Sequence, residues 1–257
     1  MLRFASLGSG SKGNAALVES GKTRILIDCG FTLNEVEKRL WRLGCDPEHL
    51  TAIVVTHEHG DHANGVGRLS RRYHIPVWGS VGTFNSMRDN EFARFQPINI
   101  HQSFSIQDLT LQPFPVPHDA REPCQLVVSD GQWHLGMLTD VGALTPCIKE
   151  HLSELDALLL ECNYEQHLLE TGPYHFQLKQ RVASSFGHLA NAQATQLLQA
   201  IKTDKLQHVV GMHLSEQNNL PEYAQAALAE GLNCAASDVS LACQAKGFDW
   251  RVLEAKI

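Results

Sequence analysis

Ala52-Ile53-Val54-Val55-Thr56-His57-Glu58-His59-Gly60-Asp61-His62 is the stretch on which the reading of this chain turns. The apolar, β-branched run at its start reads as a buried strand. Immediately after it, three imidazoles and the Asp61 carboxylate crowd into six residues. Imidazole is the side-chain donor that stays neutral near pH 7, so this residue set suits a divalent cation. A lone histidine at a strand end is more often a surface or packing residue. Several crowded titratable groups are different, because without a shared charge their proximity costs energy that nothing else here offsets. A turn after the strand lets His57 and His59 face one ion while Asp61 and His62 lean toward a second, so the spacing points to two metals. The next stretch, Ala63 to Tyr73, reads as a helix that begins where the donors end.

The pattern His57-x-His59-x-Asp61-His62 resembles the H-x-H-x-D-H motif of the metallo-β-lactamase fold hydrolases, and matching positions follow along the chain. Pro117-His118-Asp119, after the strand-like Leu109 to Val116, resembles the third histidine of the first metal. Asp140 in Leu138-Thr139-Asp140-Val141-Gly142 resembles the aspartate that bridges both ions, and His213 resembles the histidine that completes the second. Within that superfamily the chain looks like the YycJ/WalJ branch. The stretches that carry this closer resemblance are Ser6 to Asn14, Ile27 to Gly30, Glu161 to Tyr164, Gly187 to Asn191 and His213 to Asn219. Tyr164 stands where that branch usually has a histidine, and Ala190 where it usually has a serine.

What the resemblance implies is an α/β (α+β) fold, a four-layer αββα metallo-β-lactamase-type sandwich. It implies two divalent ions, Zn or Mn, held by His57, His59 and His118 on one side and Asp61, His62 and His213 on the other, with Asp140 between. Two cations sharing a water lower its pKa toward neutrality, so a bridging hydroxide serves as nucleophile. Asp61 has a second, catalytic duty in accepting a hydrogen bond from that water, and Asp28 is expected to orient a ligating histidine from behind. His188 is the candidate general acid, with a helix-end cap of carbonyls as its alternative role. Ser9, Ser11 and Asn14 in the glycine-rich turn, with Asn163, Ser215 and Asn218, are candidate substrate contacts. That turn lacks the Gly-Lys-Ser/Thr of a nucleotide-binding loop, so a plain hairpin competes with this role.

Composition places the chain among ordinary globular proteins: of 257 residues, 43% are hydrophobic and 19% charged, enough to bury a full core. No linker-like or low-complexity tract divides it, so residues 1–257 are expected to form one domain. The start shows no basic, apolar leader and no apolar run approaches the ~20 residues of a bilayer span, so a cytoplasmic protein without membrane contact is expected. Seven scattered cysteines, odd in number and without a C-x-x-C pair, read as reduced thiols.

Periodicity adds strands at 2–7, 15–19 and 24–28, and a helix opened by Thr32-Leu33-Asn34-Glu35 as a capping box and closed at Gly44. A hairpin is expected around Asp130-Gly131, with strands at 156–161 and 208–212 and helices at 176–186 and 191–202.

A phosphodiester suits two adjacent cations, and the branch resemblance implies a DNA 5′-to-3′ exonuclease, with RNA possible. Hydrolysis of small phosphodiesters or thioesters is the alternative. A diiron flavoprotein is disfavoured because Asp61-His62 keeps the hydrolase pattern and no flavin domain follows. The net charge of −7 and pI near 6.0 argue against a broad polyanion footprint. Arg68, Arg71 and Arg72 are either a phosphate track or a solvated helix face.

Overall fold

The computed structural model describes residues 1–255. One sheet places β1 (Leu2–Gly8), β2 (Ala15–Ser20), β3 (Thr23–Ile27), β4 (Ala52–Val54), β5 (Val77–Ser80) and β6 (Phe95–Ile98) side by side in chain order. The other runs, again in chain order, through β7 (Phe104–Ile106), β8 (Leu109–Pro115), β9 (Cys124–Ser129), β10 (His134–Leu138), β11 (Ala157–Glu161), β12 (His208–Met212) and β13 (Ser240–Leu241). β14 (Phe248–Val252) returns to pair antiparallel with β1.

Each sheet opens as an antiparallel meander and turns parallel at β3 and β10 respectively. Parallel neighbours need long crossovers, and these carry the helices. Between β3 and β6 lie α1 (Leu33–Arg42), α2 (Gly60–Ala63), α3 (Val66–Tyr73) and α4 (Val81–Ser86). Between β10 and β13 lie α5 (Pro146–His151), α6 (Gln166–Thr171), α7 (Phe176–Val182), α8 (Asn191–Ala200) and α9 (Pro221–Leu232).

Three apolar layers hold the stack. Phe4, Ile25, Ile27 and Val54 of the first sheet meet Leu126, Val128, Met137, Leu159 and Val210 of the second. Leu26, Ile53 and Val55 turn outward to Val36, Leu40, Val66 and Leu69. Leu158 and Leu160 turn outward to Ile148, Leu197, Leu198 and Leu228. The run Leu158-Leu159-Leu160 is wholly buried because consecutive side chains point into different layers, as a strand covered on both faces requires. The order helix, sheet, sheet, helix is the four-layer αββα sandwich anticipated from the sequence.

Local departures have physical causes. The helix expected from Ala63 to Tyr73 is broken into α2 and α3: the Gly65 N–H bonds Cys29 O at 2.8 Å, and a Cβ there would fall 2.0 Å from Phe31 O. Thr32 occupies the cap position of α1 but makes no side-chain cap bond, and Glu35 instead pairs with Arg39 at 2.8 Å. The helix expected over 176–186 stops at Val182, where the chain folds back so tightly that a Cβ on Gly187 would lie 2.2 Å from Arg181 O. That early stop carries Gly187 and His188 to the edge where the parallel strands end.

Candidate metal centre

The side chains that matter lie at or just beyond the carboxyl ends of parallel strands, the edge at which open α/β sheets bind ligands. Asp28 follows β3, His57 follows β4, Asp140 follows β10, Glu161 ends β11 and His213 follows β12. Asp28, Asp140 and His213 take left-handed backbone angles, with φ of 60°, 54° and 54°. Such conformations cost about 1–3 kcal/mol each in a residue with a side chain and persist only where the surroundings enforce them. Their reward is that each chain turns sharply inward toward one point.

Three donor groups result, of which Asp140, Glu161, His188 and His213 form one. His57, His59 and His118 bring ring nitrogens together, and so do Asp61, His62, Asp140 and His213 with carboxylate oxygens. Between them sits the Asp140 carboxylate. Its Oδ1 is 3.8 Å from both His118 Nε2 and His213 Nε2, and its Oδ2 is 2.9 Å from His62 Nε2.

The supporting hydrogen bonds set the tautomers. Asp28 accepts the Thr56 N–H at Oδ1 and the Thr56 hydroxyl at Oδ2, both at 2.8 Å, and the His62 Nδ1–H at Oδ2, also at 2.8 Å. Because the one hydroxyl proton of Thr56 goes to Asp28, Thr56 Oγ1 accepts from His57 Nδ1 at 3.0 Å. His118 Nδ1–H is spent on Gly187 O at 3.0 Å. In the neutral form of each ring this leaves Nε2 bearing a lone pair, the form a metal ligand needs. His118 Nε2 and His59 Nδ1 lie 3.1 Å apart.

The residues present fit a divalent cation on their own chemistry. Among the described residues, buried His57 Nε2 has no hydrogen-bond partner, and Asp140 Oδ2 has none of hydrogen-bonding geometry despite its nearness to His62. Buried polar atoms are almost always satisfied, and a cation supplies what these two lack. Burial, reinforced by the neighbouring His62, holds His57 well below the usual histidine pKa, and burial also lowers His118. Both therefore stay neutral. Burial alone would lower His62 and His213 as well, but carboxylates outweigh it. Asp140, Asp61 and Asp28 raise His62 well above its usual value, and Asp140, Asp61 and Glu161 push His213 up to about 10. So many carboxylates at one buried point are tolerable only beside positive charge.

One functional residue was missed from the sequence. Glu161, fully buried, accepts the Val141 and Leu189 N–H groups at Oε2 (3.0 and 3.2 Å). Its Oε1 lies 2.8 Å from His188 Nδ1 and 3.3 Å from His213 Nδ1. It thus fixes His188 with Nε2 free. The legible signal was a carboxylate closing the all-apolar run Ala157 to Leu160, the same strand-end position that marks Asp140.

The cleft above the donors is lined by Ser11, His59, Asp61, Asp140, Asn163, His188, His213 and Ser215, with Tyr174, Leu178 and Arg181 from the α7 side. Ser9 and Asn14 are placed beneath it. Ser9 Oγ accepts the His213 N–H at 2.8 Å, and Asn14 Nδ2 reaches Asp61 Oδ2 at 3.3 Å. Asn218 is buried against Ser215, its N–H 3.1 Å from Ser215 Oγ, and is not among the lining residues. Tyr164 and Ala190, the two departures from the YycJ/WalJ pattern, pair with each other in an isolated bridge and pack in a small apolar cluster. In the arginine cluster, Arg71 is held by both Asp89 oxygens (2.7 and 2.9 Å), and Arg72 lies over the Tyr73 ring.

All seven cysteines are free thiols. Among the described residues no helix is long and apolar enough to cross a membrane.

Comparison with known proteins agrees with this fold. Residues 23–214 match the family model described as the beta-lactamase superfamily domain. Exodeoxyribonuclease YycJ of Bacillus anthracis is 29% identical, over 90% of this chain and 89% of that protein. Exodeoxyribonuclease WalJ of Streptococcus pneumoniae serotype 2 is 28% identical, over 96% and 93% respectively. Among solved structures, the metallo-beta-lactamase fold protein YhfI from Bacillus subtilis superposes with a TM-score of 0.75 over 98% of this chain and 100% of that one, at 16% identity.

Proposed function

The chain belongs to the beta-lactamase superfamily and is a metal-dependent hydrolase; from that premise we propose a dinuclear phosphodiesterase that shortens DNA from its 5′ end. The observation that carries the proposal is a three-histidine donor group beside a second group that contains Asp140, beneath one cleft that also presents His188. Similarity to two exodeoxyribonucleases over nine-tenths of this chain supports the choice of DNA.

His57, His59 and His118 hold one ion in this reading, and Asp61, His62 and His213 the other. Mixed imidazole and carboxylate donors accept Zn or Mn. When bound, the ions supply Lewis acidity, activating water near neutral pH and offsetting phosphate charge. The chain's own residues do the rest. Asp28 and Thr56 keep His62 and His57 in the tautomer that ligates. Asp61, the least buried member of its donor group, also accepts a proton-bearing bond from the attacking water. His188, gripped at Nδ1 by Glu161, offers Nε2 as the proton donor to the leaving oxygen. Asn163, Ser215 and Ser11 border the cleft and orient the substrate.

The net charge of −7 favours the second reading, a hydrolase of small phosphodiesters or thioesters. Time courses on 5′- and 3′-end-labelled DNA with Mn²⁺ or Zn²⁺, beside bis(p-nitrophenyl) phosphate, test the choice. Progressive shortening from the 5′ end, abolished by Asp61→Ala, is expected. Turnover of the small diester with DNA left intact would refute the nuclease reading.

A further inference from the structure

Two large apolar rings stand in solvent around α7: Phe176, which opens the helix, is 71% exposed, and Phe186, just beyond its end, is 56% exposed. Phe186 is not on a loose loop. Its carbonyl accepts the Asp119 N–H at 3.0 Å, and the next residues are tied back by Gly187 N–H to Ser184 O and His188 N–H to Val182 O, each at 2.9 Å. A Cβ on Gly142 would fall 2.5 Å from the Phe186 nitrogen, so the segment after β10 packs directly against this turn. Gly187, its neighbour, holds His118 through its carbonyl. The Phe186 ring is therefore presented to solvent by backbone that is built into the wall of the metal centre.

On the same wall, Arg181 lines the cleft with its side chain 56% exposed. Asp119 Oδ2 accepts its Nε–H at 2.6 Å, which fixes the guanidinium plane. The terminal nitrogens Nη1 and Nη2 have no bond to the described residues, leaving a positioned fork beside the donors.

We propose that Phe186 and Arg181 form a strand-holding subsite: a base flanking the scissile phosphate, splayed from a single-stranded end, stacks on the Phe186 ring while the Arg181 fork takes an adjoining phosphate. This rests on the phosphodiesterase reading of the cleft. Every base has a π-face, so one exposed ring serves any sequence, and a planar guanidinium matches phosphate oxygens in pairs. The wall is also wrong for a protein partner, because Gln177, Lys179, Gln180 and Arg181 interrupt the apolar surface between the two rings. Two exposed rings on either side of Lys179 and Arg181 in the chain, beside a hydrolytic centre, fit an unpaired polynucleotide strand. The subsite explains how a chain of net negative charge could hold DNA: by two placed side chains and not by a broad basic face.

The test compares kcat/KM on a single-stranded oligonucleotide with kcat/KM on bis(p-nitrophenyl) phosphate for the Mn²⁺-loaded full chain and for Phe186→Ala, Phe186→Trp and Arg181→Ala. The ratio of oligonucleotide to small diester is expected to fall about tenfold in Phe186→Ala, chiefly through KM, which is about 1.4 kcal/mol. Phe186→Trp should restore it, a rescue that a merely structural role would not give. Arg181→Ala should lower the ratio and weaken its dependence on salt. A ratio unchanged in Phe186→Ala would overturn the subsite. A parent enzyme that turns over the small diester but no oligonucleotide would overturn the nucleic-acid reading itself, and this inference with it.

Discussion

Replacing Glu161 by glutamine is the most informative single perturbation, because it keeps the volume of a fully buried side chain and removes only its charge and one acceptor. Glu161 Oε2 accepts two backbone N–H groups, which the glutamine carbonyl can retain. The new NH₂ then faces the Nδ1 atoms of His188 and His213, where an acceptor stood at 2.8 and 3.3 Å. His188 loses its charge-assisted bond, about 1.5–3 kcal/mol of positioning and proton-holding energy. If that loss is felt wholly in the transition state, kcat falls about 10- to 150-fold. The assay is turnover at saturating metal, with bound metal measured in the same samples, because His213 touches the same carboxylate and a leaky centre would mimic the effect. Pairing with His188→Ala separates the causes. If Glu161 acts through His188, Glu161→Gln should cost little more once His188 is gone, and the two losses should be strongly non-additive. Full additivity, or parental kcat with parental metal content, would refute the assignment of Glu161 as the group that positions His188.

Asp28→Asn should lower metal affinity about 10- to 100-fold without touching substrate, since Asp28 holds His62 and, through Thr56, His57; a parental midpoint in a chelator competition would contradict this. Stripping the protein with chelator should lower Tm, and metal at about 100 times its Kd should restore about 2.7 kcal/mol, because the native chain alone gathers the donors; a Tm indifferent to metal would argue against the centre. In the native protein, Cys234 and Cys243 should react promptly with a thiol reagent at pH 8, whereas Cys29 and Cys124, whose thiols burial pushes up to about 12, should react only after unfolding. Equal rates for all four would mean the buried layers open far more readily than their packing suggests.

Much of the centre was legible because a strand that ends in donors is a local pattern. Ala52 to His62 shows strand, turn and ligands in eleven consecutive letters, and Pro117-His118-Asp119 and Leu138 to Gly142 repeat the theme. The expectation failed where a local pattern had competitors in space. Thr32 to Glu35 has the letters of a capping box, yet Arg39 takes the Glu35 carboxylate. Arg68, Arg71 and Arg72 left two readings open, and at Arg71 the guanidinium is taken by Asp89. Ser9 and Asn14 look like free polar groups of a glycine-rich turn and are instead bonded to His213 and Asp61.

By itself the sequence determined the chemistry of the donors and the alternation of strands with crossover helices, since each depends on residues a few positions apart; the sandwich followed from the resemblance to the metallo-β-lactamase fold hydrolases. Only the tertiary structure decided which donors share an ion-sized space. Asp61 Oδ2 and His213 Nε2 meet at 3.3 Å across 152 residues of chain. Only there did Glu161 become the residue that grips His188, and only there did Phe186 emerge as a ring held in solvent by backbone bonded to the wall of the centre. Contacts of that kind are set by how two sheets stack and where left-handed turns at Asp28, Asp140 and His213 aim the strand ends. Those geometric quantities belong to the packed chain as a whole and to no short segment of it.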